Sequence, residues 1–368
     1  MLAQAIDFEC LQITDIRLTY NSCYLIQNSS LKIQHYHLSA FLGILNYTIV
    51  ATVESIIGTD KPNQDIFSET VQALAASDRN IIVVTSDSRG SGKLVPFGQK
   101  FPKQIVEVGI AEQNLVGVAA GLASAGKKTF AVSPACFLTA RSFEQIKNDV
   151  AYSDNPVILV GISAGVSYGA LGSTHHSLHD FAVLRAVNNL IVMAPADNYE
   201  TAEAVKQAVA LGVPVYMRFG KKVMPPLSPD KEVTFEIGKG RVVREGQDVI
   251  LIGTGETSYP ALQAAEQLQA SGVEATVINM HTIKPLDYEL LAKVAATGKP
   301  IITLEEHSIY GGLGEACASF LLQNGFTNKF KIMGIPDEYT VTGSQNEIFA
   351  HYGLSKEGIE KVALELCK

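Results

Sequence analysis

Residues 66–87, IFSETVQALAASDRNIIVVTSD, set two periodicities side by side. Over 66–77 the apolar residues return every three or four positions, the pattern of one helical face, whereas IIVV at 81–84 is apolar at every position and β-branched throughout. A strand with no polar side has both faces covered, as happens when helices flank a parallel sheet. The same alternation recurs downstream. Strand-like runs are KTFAVS (128–133), PVILVGIS (156–163), LIVMAP (190–195) and PVYMRFG (214–220), and helical patterns fill 142–153, 179–187 and 198–211. Strands alternating with helices predict a doubly wound α/β sheet. After the proline-rich, charged stretch 221–236 a second α/β unit begins, with DVILIGTG (248–255), EATVINM (274–280) and PIITLEEH (300–307) as strands and helices over 260–271, over 287–296 and after GGLGEA (311–316). The expected organisation is therefore an N-terminal segment (1–55) without a functional reading, an α/β domain (56–220), a linker (221–236) and a second α/β domain (237–368).

The 368 residues, 47% of them hydrophobic, suffice for two domains with their own cores. A net charge of −8 without a dense Lys/Arg stripe argues against nucleic acid or an anionic membrane as partner. Five scattered cysteines, Cys10, Cys23, Cys136, Cys317 and Cys367, form no CxxC pair, which argues against a disulfide framework or a zinc ribbon and for a reducing cytoplasm. The start of the chain lacks the features of a signal peptide. The uncharged run Leu38–Val53 is shorter than the roughly 20 residues that span a bilayer, and it reads as a packed strand or helix.

Ligands of open parallel sheets sit beyond the carboxyl ends of the strands, so the segments that follow strands are the ones to compare for chemistry. SDSRGSGKL (86–94) lacks P-loop spacing and GTGETSYP (253–260) lacks the third glycine of GxGxxG, which leaves a dinucleotide-binding dehydrogenase poorly supported. SAGVSYGALGSTHHSLHD (163–180) is a glycine-rich loop carrying three histidines. His175, His179 and Asp180 would form only part of a metal site, while His175 alone suits a substrate-facing role. In SPACFLTARSFEQ (133–145), Phe137 and Phe143 flank a turn into a helix, and Cys136 has no motif that marks a nucleophile. VGIAEQNLVGVAAGLASAG (108–126) places one carboxylate, Glu112, at the head of a small and apolar stretch.

Together, VGIAEQN, FLTARSFEQIKNDVAYSDNPVILVG, GSTHHSLHDFAVLRAVNNLIVMAPADNYE and PVYMRFG, in that order, resemble the pyrimidine-binding domain of transketolases, deoxyxylulose-phosphate synthases and the beta subunits of 2-oxoacid dehydrogenases. LEEHSIYGGLGEA and GIPDEY resemble their shared C-terminal domain. The resemblance runs from about Lys61 to the end of the chain. It implies thiamine diphosphate as cofactor, with Glu112 hydrogen-bonded to a ring nitrogen of the aminopyrimidine and promoting the tautomer whose exocyclic nitrogen takes the thiazolium proton. It further implies Phe137 stacked on the pyrimidine, Phe143 helping to line the pocket, Asp87 as a cofactor-proximal acid, His175 as a substrate-channel histidine that hydrogen-bonds or shuttles a proton, and Arg218 as a ligand for substrate phosphate.

Nothing in the chain resembles the GDG…N motif that binds magnesium and diphosphate. The resemblance therefore implies half an enzyme, with no metal ligands of its own and with magnesium held mainly by an N-terminal partner subunit, in an α2β2 assembly. Three departures bear on the substrate: Ala170-Leu171 replaces a donor-binding carboxylate, Ser163 a phosphate-facing histidine, and Gln64-Asp65 an expected arginine. The leading expectation is the C-terminal subunit of a split transketolase that moves a two-carbon ketol unit between sugars or sugar phosphates. The alternatives are a deoxyxylulose-phosphate-synthase-like or 2-oxoacid dehydrogenase beta-type subunit, and a non-catalytic scaffold paralogue.

Overall fold

Strand β1 (Ile81–Thr85) carries the apolar run that opened the sequence reading, and both of its faces are buried. Ile82 and Val84 join one core cluster with Leu115, Ala119 and Leu138, while Ile81 and Val83 join another with Phe67, Val71 and Phe130. A strand shared in this way needs helices on both sides of its sheet, which is the doubly wound arrangement expected. The structure is a computed structural model and describes residues 61–228 and 234–368. Leu38–Val53, the rest of the N-terminal segment and part of the expected linker lie outside the described residues.

Six strands of the first sheet come from residues 81–218: β1, β2 (Ile105–Glu107), β3 (Lys128–Pro134), β4 (Val157–Ile162), β5 (Ile191–Met193) and β6 (Val215–Arg218), all parallel to one another. Helices α1 (Asn63–Ser77), α2 (Val95–Lys100), α3 (Glu112–Ser124), α4 (Ala135–Arg141), α5 (Phe143–Gln145), α6 (Asp180–Arg185) and α7 (Asn198–Leu211) connect them. Helix α7 matches its expected span, and local chemistry explains why. Asp197 caps its first turn by accepting from the Glu200 amide, and Gly212 ends it in the left-handed region at φ 63°. The helix expected over 142–153 is instead broken. It starts as α5 and continues as a π-helical segment, Ile146–Tyr152.

The second sheet is built from β7 (Arg241–Arg244), β8 (Val249–Gly253), β9 (Ala275–Asn279), β11 (Ile301–Ser308) and β12 (Phe330–Ile335), in the order β12-β11-β8-β9-β7. Its helices are α8 (Ser258–Ala270), α9 (Tyr288–Ala295), α10 (Leu313–Gln323), α11 (Gln345–His351) and α12 (Lys356–Leu366). Two strands run antiparallel, β7 against β9 and β10 (Thr282–Lys284) against β5. Strand β10 thus extends the first sheet from the second half of the chain, giving the order β10-β5-β6-β4-β3-β1-β2. Both antiparallel strands lie at sheet edges, where pairing follows tertiary contact rather than any apolar run. No helix among the described residues is long and apolar enough to cross a membrane.

Candidate active site

In the first sheet β1 lies between β2 and β3, so the chain leaves β1 toward one edge and returns on its other side to build the rest of the sheet. A reversal of this kind opens a crevice at the carboxyl ends of the flanking strands. Asp87 follows β1, Glu112 opens α3 beyond β2, and Phe137 lies on α4 directly after β3. The two strand ends are tied where Ser86 Oγ donates to Ser133 Oγ at 2.8 Å. Asp87 is exposed and held at φ 51°, a conformation that strains a residue with a Cβ and persists only where neighbours enforce it. Its amide donates to Glu107 Oε1 at 2.7 Å, and the Gly109 amide donates to the same oxygen at 3.0 Å, which joins the turn after β1 to the turn before Glu112.

Glu112 is 5% exposed and occupies the first position of α3, where unpaired amides and the helix dipole favour an anion. It is not alone, contrary to the sequence expectation: Arg141 Nη1 donates to its Oε1 at 2.8 Å. The guanidinium also lies 4.2 Å from the centroid of the Phe137 ring, because residues four apart on α4 share a face. The His175 ring meets Phe137 edge-on at 5.3 Å, and Tyr168 meets His175 similarly at 5.4 Å. Glu112, Arg141, Phe137 and His175 therefore form one contiguous surface. Sequence reasoning gave Arg141 and Tyr168 no role, although the four-residue spacing from Phe137 was a usable signal for Arg141.

Phe143 does not join this surface. Helix α4 stops at Ser142, whose hydroxyl bonds back to the Leu138 carbonyl, and the chain turns Phe143 onto the core. There it lines a separate pocket with Lys147, Tyr152 and Ala186. Cys136 is buried, and burial pushes its thiol up to about 11, which leaves no thiolate for nucleophilic work.

The histidines of the loop after β4 separate by environment. His175 is half-buried, with Nδ1 3.0 Å from Thr174 Oγ1. His176 is buried between Thr340 and the Gly169 carbonyl, and His179 Nε2 lies 3.2 Å from Thr139 Oγ1. Asp180 is wholly buried and accepts from Tyr216 Oη at 2.6 Å and from Arg218 Nη1 at 2.8 Å. Burial works to raise its carboxyl, yet Arg218, His307 and Tyr216 together hold it below the ordinary value. Among the described residues no group of three or more His, Cys, Asp or Glu is placed to hold a metal ion.

Arg218, expected to meet a substrate phosphate, is buried in the structure. It is 5% exposed, and its other terminal nitrogen donates to the Glu306 carbonyl at 2.8 Å while the guanidinium covers Phe181 at 4.0 Å. Each terminal nitrogen thus makes one hydrogen bond inside the protein, and the residue joins β6 to β11. Two positions singled out as departures meet each other instead: the buried Gln64 amide lies 3.2 Å from Ser163 Oγ. The sequence reading also missed Glu306, which is buried, accepts from the Val166 amide at 2.8 Å and is pushed up to about 8 by burial and by neighbouring Glu256. Gln345 donates to both carboxylates, at 2.6 Å to Glu256 and 2.8 Å to Glu306.

Two protein-family models match the chain: "Transketolase, pyrimidine binding domain" over residues 61–226 and "Transketolase, C-terminal domain" over 238–359. One subunit of the apulose-4-phosphate transketolase of Phocaeicola vulgatus is 48% identical over 302 residues, covering 82% of this chain and 96% of that protein. A putative transketolase C-terminal section of Methanocaldococcus jannaschii is 37% identical over 303 residues, with 82% and 95% covered. Among solved structures, one described as "Split gene transketolase, inactive beta4 tetramer" superposes with a TM-score of 0.74 at 32% identity, covering 83% of this chain and 98% of that one.

Proposed function

The chain belongs to the transketolase family, and on that premise we propose that it is the C-terminal subunit of a split transketolase that moves a two-carbon ketol unit between sugars or sugar phosphates. The observation that carries this reading is the joining of a buried carboxylate, Glu112, to an aromatic face, Phe137, at the switch point of the first sheet. That pair fits a planar heteroaromatic ring with a basic nitrogen, which is what the aminopyrimidine of thiamine diphosphate offers. When bound, thiamine diphosphate supplies the carbanion chemistry that breaks a carbon–carbon bond beside a ketose carbonyl.

The protein's part is orientation and proton handling. Glu112 would hold a ring nitrogen of the cofactor through a shared proton, and Phe137 would fix the ring plane. Arg141 occupies one Glu112 oxygen, which leaves the other for the ring. His175, whose Nδ1 is engaged by Thr174, uses Nε2 to exchange a proton with a substrate oxygen. Asp87 stands at the rim as a cofactor-proximal acid.

Diphosphate and magnesium are assigned in this proposal to an N-terminal partner subunit, because nothing in the sequence resembles the GDG…N motif. The assembly proposed is α2β2 and cytoplasmic, and this chain is inert on its own. The reading draws support from relatives named as one subunit of a transketolase and as a C-terminal section. Calorimetric titration of thiamine diphosphate with magnesium, into this chain and then into a complex with a subunit carrying GDG…N, tests it. Binding only by the complex is the expected result. Tight binding by this chain alone overturns the split site, and no binding by an assembled complex overturns the enzymatic reading.

A further inference from the structure

Of the contacts that the loop carrying His175 receives from the second half of the chain, those on either side of His175, at Ser173 and His176, converge on Thr340. The Thr340 amide donates to Ser173 Oγ at 2.9 Å, and the two hydroxyls lie 3.0 Å apart. Thr340 Oγ1 is also 2.6 Å from His176 Nδ1, while His176 Nε2 is 3.0 Å from the Gly169 carbonyl.

A carbonyl only accepts, so Nε2 of a neutral His176 carries the proton and Nδ1 is an acceptor. Thr340 Oγ1 must then donate to Nδ1, which leaves Ser173 Oγ as donor to Thr340. Every hydroxyl hydrogen in the chain Ser173–Thr340–His176–Gly169 has one consistent direction. Burial lowers the proton affinity of His176, as this arrangement requires. The two segments also touch at the backbone: Gly169 sits at φ 51°, and a Cβ there would lie 2.5 Å from the Gly343 carbonyl oxygen. The network brackets His175 on both sides, through Ser173 and His176, while the hydrogen bond of the His175 ring runs to Thr174 and not to Thr340.

We propose that Thr340 is a positioning residue: through Ser173 and His176 it fixes the loop so that the His175 ring is held at the edge of Phe137. The catalytic part of this proposal rests on the reading of His175 as the substrate-facing proton carrier. The proposal makes the C-terminal half a contributor to turnover without contact with cofactor or substrate.

The test compares Thr340→Val, which keeps the shape and loses the hydroxyl, with Thr340→Ser, which restores it. Hydrogen exchange on the full chain reads the loop directly, since the His175, His176 and Ser177 amides are all bonded within it. Loss of about one net hydrogen bond predicts roughly tenfold faster exchange at these amides in Thr340→Val, no change in α3 or β3, and wild-type rates in Thr340→Ser. In the complex with the partner subunit, Thr340→Val should lower kcat and raise KM for a ketose donor, leave the affinity for thiamine diphosphate unchanged, and recover with serine. Unchanged loop exchange overturns the proposal, as does faster exchange spread over the whole chain. A loosened loop with kcat and KM both intact overturns its catalytic part. An inactive wild-type complex would refute the proposed function instead, and the exchange measurement then judges the fastening separately.

Discussion

Replacing Arg218 by methionine separates two roles that the same residue can be given. The sequence resemblance makes Arg218 a phosphate ligand, whose loss would raise KM for a phosphorylated sugar and leave folding untouched. The structure surrounds it differently: Asp180 is wholly buried, its partner Arg218 is 5% exposed, and the pair is closed by a 2.8 Å hydrogen bond. Methionine roughly fills the stem's volume but strands the Asp180 charge, which retains Tyr216 and the Phe181 amide as hydrogen-bond donors and His307 3.8 Å away. Removing one member of a buried ion pair costs about 3–5 kcal/mol, a change of roughly a hundred- to several-thousand-fold in the folding equilibrium. The chain has no tryptophan, so urea unfolding is best followed by circular dichroism. The midpoint should fall sharply in Arg218→Met and recover in part when Asp180→Asn removes the stranded charge. Because the folded Asp180 value is lowered, its contribution is present above the unfolded value of about 3.8 and is lost as pH falls through the folded one. Stability within about 1 kcal/mol of wild type, together with weaker binding of a phosphorylated substrate, would refute the structural role.

Further expectations concern the cofactor surface and the contacts between the two halves. In the assembled complex, Glu112→Ala should weaken thiamine diphosphate binding by roughly 10- to 100-fold, the scale of one hydrogen bond to a charged group, and unchanged calorimetric affinity would argue against the assignment. Phe137→Ala should weaken it as well while leaving the assembly intact by gel filtration. Gly165→Ala combines φ +60° with a Cβ placed 2.2 Å from Glu306 Cδ, whereas Gly126→Ala meets nothing within 4 Å at φ +81°. Both incur about 1–2 kcal/mol of left-handed strain, and only Gly165→Ala should lose more than that in a urea titration. Glu305 and Glu306 are raised to about 7 and about 8, so the folded state binds more protons than the unfolded one between about 4.5 and 8. Stability from these groups must then fall as pH rises through that window, and Glu306→Gln should flatten the slope.

The fold was legible wherever burial imposed a period. The run at 81–84 announced a strand covered on both faces, and the helix over 198–211 carried its own N-cap and C-terminal glycine. Strands β7, β10 and β12 were missed, because an edge strand of three to six residues need not show a continuous apolar run. The π-helical segment after Gln145 was equally invisible, since its apolar spacing passes for an α-helix.

The site divides along the same line. Glu112, Phe137 and His175 could be singled out because each sits in a segment whose motif is recognisable in the sequence. What each one touches was not found, because contact depends on how segments far apart in the chain pack. Arg141 is 29 residues from Glu112, and Arg218 is 38 from Asp180, yet both distances are 2.8 Å. Burial then gives the two pairs opposite meanings. Arg218–Asp180 is sealed, so neither partner can leave without stranding a charge. Arg141 is 47% exposed, and an ion pair with such an exposed member contributes only about 0–1 kcal/mol. Its guanidinium can therefore shift at little cost, and under the proposed function it would do so over Phe137 while keeping its bond to Glu112, which heads helix α3. A site that joins a fixed acid to a movable cation suits a ligand that must be both admitted and held.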